Sequence, residues 1–173
     1  MVAGLKRFPG GGLILAGNVG SGKTHLSVSM MKYLYESAWN KYCDAGIEAV
    51  KNRQQPEHNF KHTSFFIETS ELLLMIRESF RDGAKETEGR IIDRMTGYQL
   101  LVIDDLGTEK TTDFAINTLY ILINRRGNNL KDTIITTNLN LQEIENKLNA
   151  RIASRLSQWY LVNVNLPDYR KNK

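Results

Sequence analysis

The sequence predicts an α/β fold, a parallel sheet covered by helices on both faces, and three observations predict it. Short apolar runs recur along the chain, helical patterns fall between them, and a glycine-rich loop joins the first run to the first helix. Leu13-Ile14-Leu15-Ala16 suits a buried strand feeding that loop. Beyond it, Leu26, Met30, Leu34 and Ala38 recur every four positions, as on the inward face of a helix. Residues 39–62 break this pattern with Gly46, Pro56, two histidines and many polar side chains, so an insertion or irregular loop is expected there.

Phe65-Phe66-Ile67 reads as a second strand. Ser70 and Glu71 then open a helix carrying Leu72, Leu73, Ile76 and Phe80, which Gly83 should end. A shorter helix is expected around Ile91, Ile92 and Met95, before the buried run Leu100-Leu101-Val102-Ile103. From Asp113 a helix places Ile116, Tyr120 and Ile123 on one side and closes on the basic Arg125-Arg126-Gly127. Residues 133–137 form a further strand. Asn140 and Glu143 have capping-box spacing for a helix through Leu148, another turn carries Arg151 to Leu156, and residues 160–164 alternate as a last strand.

Bulk properties bound the answer. A chain of 173 residues suits one domain with a sizeable core, and 41% hydrophobic with 24% charged residues is ordinary for a globular protein. The net charge of +4 permits an anionic partner without requiring one. Cys43 is the single cysteine, which excludes an internal disulfide and suits a reducing compartment. No apolar run is long enough to cross a bilayer, and the first residues lack a signal-peptide core, so a soluble, cytoplasmic protein with no membrane partner is expected.

The chemistry centres on residues 17–24, Gly-Asn-Val-Gly-Ser-Gly-Lys-Thr. Gly17, Gly20 and Gly22 let the backbone curl so that its N–H groups, with those of Asn18, Val19 and Ser21, can point at phosphate oxygens. The helix that follows, starting with Lys23, Thr24 and His25, adds its positive N-terminal end. Lys23 can reach the outer phosphates of ATP or ADP, and the Thr24 hydroxyl can ligate Mg²⁺. For His25, a packing or surface role competes with nucleotide contact.

Asp104 and Asp105 end the run 100–103, where a carboxylate beside the loop would serve the metal. Asp104 is assigned to Mg²⁺. Asp105 is the candidate base that polarises the attacking water, with Glu109 a weaker rival; a turn-capping role for Asp105 competes nearly evenly. Asn138 follows the strand 133–137, and its amide could bond both the attacking water and the γ-phosphate, or merely start a turn. Arg151 and Arg155 lie one helical turn apart, as surface arginines often do; a guanidinium lent to a neighbouring subunit can raise phosphoryl-transfer rates by about 10³–10⁵.

The order of GNVGSGKT, LLVIDD, IITTN and ARIASRL resembles the AAA+ ATPases. It is most similar to their DnaC and DnaI helicase-loader branch, with IstB transposition ATPases as near relatives. The resemblance runs from about Gly12 to Tyr169. It implies a P-loop NTPase with a five-stranded parallel sheet, Asn138 as the γ-phosphate sensor, Arg155 as the finger given to the adjoining subunit and Arg151 as its auxiliary. The 18 residues after Arg155 are too few for a full C-terminal lid, and the 16 before Gly17 leave out the family's helicase-binding domain, so a single ATPase domain over 1–173 is expected. By resemblance the partners are a replicative DNA helicase, single-stranded DNA and further copies of the chain.

Other readings stay open: an IstB-type transposition helper, a small-molecule P-loop kinase, or a nucleotide-dependent binding module without useful hydrolysis. Trp39, Tyr42 and Phe60 among Lys41, Lys51, Arg53 and Lys61 invite a single-strand DNA reading of the insertion. Four acids between 36 and 62 balance these four bases, which favours a structural role. Cys43, His58 and His62 lack zinc-ligand spacing. Basic excess appears instead over residues 140–173, with six Lys/Arg against three acids.

Overall fold

A computed structural model of the chain describes residues 11–55, 63–108 and 112–168. Within them five parallel strands form one sheet: β1 (Gly12–Ala16), β2 (Ser64–Glu68), β3 (Leu100–Leu106), β4 (Asp132–Thr137) and β5 (Tyr160–Asn163), in the order β2-β3-β4-β1-β5. Leu13 of β1 pairs with Ile134 on one side and Tyr160 on the other, so β1 sits inside the sheet with its C-terminal end enclosed. Parallel neighbours need helical crossovers, and six helices supply them: α1 (Lys23–Lys51), α2 (Thr69–Glu78), α3 (Glu88–Gly97), α4 (Asp113–Asn128), α5 (Leu141–Lys147) and α6 (Ala150–Leu156).

Alternation along the strands divides the core between the two faces. Ile14, Leu101, Ile103 and Ile135 point to the face covered by α2 to α6, through Leu72, Ile92, Leu119, Ile144 and Ile152. Leu13, Leu15, Leu100, Val102 and Ile134 point to the other, where Met30, Met31 and Leu34 of α1 cover them. The helix face differs from the expected one at its start. Leu26 is 40% exposed, and Ser27 takes the buried position, its hydroxyl donating to the Thr24 carbonyl at 2.8 Å.

The expected break after Ala38 is corrected over residues 39–51, which continue α1 to Lys51. A helix of 29 residues spans about 43 Å, whereas the seven residues of β3 span about 23 Å. The last turns therefore project past the sheet. The partly buried positions there are Tyr42, Cys43, Gly46 and Ala49, mostly small or polar, so the apolar periodicity fades while the helix continues. Phe60, Lys61, His58 and His62 of the expected insertion lie outside the described residues.

Two further differences concern element ends. α2 stops at Glu78, leaving Phe80 60% exposed and edge-on to Phe114, with ring centroids 5.6 Å apart. β3 runs on through both aspartates to Leu106, and its register against β4 shifts between Ile103 and Leu106. The capping box of Asn140 and Glu143 is present at α5, with both reciprocal bonds formed.

β1 also depends on a close approach. A Cβ at Gly12 would run into the ring of Trp159, which is itself buried. Gly12→Ala should cost about 1–3 kcal/mol through overpacking. Urea unfolding checks this, and an unchanged midpoint would show that the ring shifts freely.

Candidate functional site

The glycine-rich loop leaves the C-terminal end of β1 and returns as the first turn of α1. Its base is tied down where the Gly17 N–H donates to the Thr137 carbonyl at 3.2 Å. Gly22 caps α1 with φ 89°, a left-handed value that glycine adopts without strain, and, lacking a side chain, gives the first-turn N–H groups no capping bond. Those groups and the positive helix end are thus arranged as an anion site. Val19 at the loop tip is exposed, as is His25 in the first turn. Ser21 is buried, and its hydroxyl has no hydrogen-bond partner among the described residues.

Lys23 is buried and uses all three ammonium donors. It bonds to the Gly17 carbonyl at 2.9 Å, the Asn18 carbonyl at 2.7 Å and Asn138 Oδ1 at 2.8 Å. Burial pulls its pKa below the usual lysine value, while the charges of Asp105 and Asp104 oppose that pull. The ammonium therefore links the loop to the end of β4 and lies in the field of two carboxylates.

Asp104 stands at the end of β3, buried, with its carboxylate facing Thr24. The Thr24 hydroxyl donates to it at 3.0 and 3.2 Å, and the Thr136 hydroxyl donates at 2.6 Å. Its backbone carbonyl accepts from Thr69 at 2.9 Å, which anchors the strand end to α2. A carboxylate and a hydroxyl side by side are the oxygen donors that Mg²⁺ takes from protein when it keeps several waters and binds substrate phosphates. The donor set fits that ion. It is not an all-protein cage, since the described residues hold no cluster of three or more His, Cys, Asp or Glu suited to a metal.

Asp105 differs from its neighbour. It sits at φ 60°, a left-handed conformation uncommon for aspartate, within the register shift of β3. Its N–H donates to Thr136 Oγ at 2.9 Å and its carboxylate accepts from Asn138 Nδ2 at 3.3 Å. Asn138 therefore bridges Lys23 and Asp105 with the two ends of one amide. The rival Glu109 lies outside the described residues.

Lys23, Thr24, Asp104, Asp105 and Asn138 are thus brought into one hydrogen-bonded cluster. Arg151 and Arg155 stand apart on α6, with Arg151 exposed and Arg155 half-buried. Sequence reasoning missed Thr136 and Thr69, which hold the two aspartates in place. A signal existed: hydroxyls on a buried strand must find partners, and Thr133, Thr136 and Thr137 all lie buried in β4. It also missed Asp168, whose carboxylate lies against Gly20.

No family model matches the chain. The replicative helicase loader DnaC of Buchnera aphidicola subsp. Baizongia pistaciae is 22% identical over 162 residues, covering 91% of this chain and 56% of that one. A crystal structure of the DnaC helicase loader superposes with a TM-score of 0.68 at 25% identity, covering 92% of this chain and 81% of that one. The replication initiator DnaA bound to AMPPCP and single-stranded DNA gives 0.64 at 18% identity, over 90% of this chain and 40% of that one. The chain spans between 41% and 56% of the length of the curated relatives it matches. Among the described residues no helix is long and apolar enough to cross a membrane. With its parallel five-stranded sheet, its glycine-rich loop and these likenesses, the chain is a DnaC-like AAA+ P-loop domain.

Proposed function

We propose that this domain binds and hydrolyses ATP within a helicase-loader system of DNA replication, with ATP seated at a boundary between copies of the chain. The observation that carries the reading is the bridge Lys23–Asn138–Asp105 beside the pair Thr24–Asp104. It gathers a cation for the outer phosphates, oxygens for Mg²⁺ and an amide facing a carboxylate at one end of the sheet. Thr24 and Asp104 would hold Mg²⁺, which neutralises phosphate charge when bound. Asn138 would sense the γ-phosphate, and Asp105 would accept the proton of the attacking water.

Arg155 completes the site of the next subunit, with Arg151 beside it. Their place on α6, outside the cluster, supports a role in trans. Arg155→Ala should leave ATP binding intact but lower hydrolysis by about 10³-fold or more and abolish ATP-dependent association. Single-turnover hydrolysis and sedimentation velocity measure both, and normal turnover would remove Arg155 from the mechanism.

Loader function itself is tested by co-sedimentation of the protein with the replicative helicase of the same host, with and without ATP and single-stranded DNA. ATP-dependent joint sedimentation is expected. Its absence, together with ATP-dependent capture of a transposase, would move the reading to the IstB-type helper.

A further inference from the structure

The loop has two flanks of different chemistry. Asp104, Asp105 and Asn138 stand on one, at the ends of β3 and β4. The chain leaving β5 runs along the other, because β1 lies between β4 and β5. That chain does not turn away at once. The Val164 N–H donates to the Ala16 carbonyl at 2.7 Å, continuing the parallel pairing past the strand end. The Val164 carbonyl then fills the space that a Cβ at Gly17 would need. Four residues later the carboxylate of Asp168 does the same at Gly20. Asn165, Leu166 and Pro167 are exposed, whereas Asp168 turns inward and is half-buried.

We infer that Asp168 is the nucleoside-reading residue of the site, its carboxylate accepting hydrogen bonds from the ribose hydroxyls of the bound nucleotide. This rests on the reading of residues 17–24 as an ATP loop. With the outermost phosphate directed to Lys23, Thr24 and Asp104, a triphosphate held along the loop must extend its nucleoside toward the opposite flank. The Asp168 carboxylate that stands there carries acceptor oxygens and no N–H or O–H of its own, so it repels phosphate and pairs with hydroxyls. The ribose hydroxyls are the donors of a nucleotide nearest its phosphates. Residues 164–168 thereby form the nucleoside-side wall of the pocket, and the tight approaches at Gly17 and Gly20 fix that wall's distance from the loop.

The test compares ATP, 2′,3′-dideoxy-ATP and inorganic tripolyphosphate by calorimetric titration of the wild-type protein and Asp168→Ala. The wild type should prefer ATP to the dideoxy analogue by about tenfold to 100-fold, the size of a hydrogen bond to a charged group. Asp168→Ala should weaken ATP by the same factor, leaving the dideoxy analogue and tripolyphosphate nearly unchanged. Tighter binding of both ATP and tripolyphosphate in the variant would overturn the inference, because the carboxylate would then only repel phosphate. Equal changes for ATP and its dideoxy analogue would also overturn it, as would wild-type indifference to the hydroxyls, which requires no variant to fold. A wild-type protein that binds neither ATP nor tripolyphosphate would overturn the ATP reading itself, and this inference with it.

Discussion

Lys23→Ala should abolish ATP binding at ordinary concentrations, raising the Kd by about 100-fold or more. The ammonium is the cation at the heart of the cluster, and charge-assisted hydrogen bonds are about twice as strong as neutral ones. Two such bonds to phosphate correspond to at least about 3 kcal/mol, or roughly two orders of magnitude in affinity. The fold should survive, because the core lies beneath the loop and the Gly17 N–H remains tied to Thr137. Equilibrium titration with ATP measures the loss, and circular dichroism checks the fold. Affinity retained within about tenfold of wild type would exclude Lys23 from phosphate contact.

The second large effect lies far from nucleotide. Arg126 belongs to the basic C-terminus expected of α4, and it is completely buried. Its guanidinium donates to Thr133 Oγ at 2.9 Å and to the carbonyls of Met95 at 2.7 Å, Tyr98 at 3.0 Å and Asp132 at 2.6 Å, with a longer bond to Thr96 at 3.3 Å. One side chain thus serves the end of α3 and the start of β4, where backbone acceptors would otherwise be left without donors. Arg126→Met should destabilise the protein by about 3–5 kcal/mol, since the orphaned carbonyls cannot be replaced along with the arginine. Arg126→Lys should recover little, because a point charge cannot span the fork of acceptors.

Burial lowers the Arg126 pKa to about 10, against the attraction of Asp132. A cation whose pKa is depressed on folding costs stability at every pH below the folded value, and that cost fades only as pH rises from there toward the unfolded value. Below about pH 9 the group stays charged, so the loss in the variant should be flat with pH. Urea unfolding measures all of this, and a loss under about 1 kcal/mol would show that water replaces the guanidinium at no penalty.

How much could be read in advance follows from where the information sits in the chain. The loop, the aspartates and the capping box are local patterns, with spacing set by the geometry of a single turn, so they were legible. Buried strands betrayed themselves by apolar runs. The long-range partners did not. Nothing adjacent in sequence links Thr136 to Asp104 or Arg126 to Met95; only the sheet order brings them together. The end of α1 was illegible for a different reason: its partly buried positions after Ala38 include Tyr42, Cys43, Gly46 and Ala49, which do not form the apolar stripe by which helices are recognised.

That same helix has a mechanical consequence. α1 begins at the phosphate loop and extends as one uninterrupted helix about 43 Å long, longer than any strand of the sheet. A tilt of about 5° at the loop end would carry the opposite tip through about 4 Å, by simple leverage over that length. Trp39 and Tyr42, with ring centroids 5.8 Å apart, lie beyond the midpoint of that helix. The site and this aromatic pair thus sit on one continuous helix, about 24–29 Å apart, and a tilt at the first would move the second by about 2 Å.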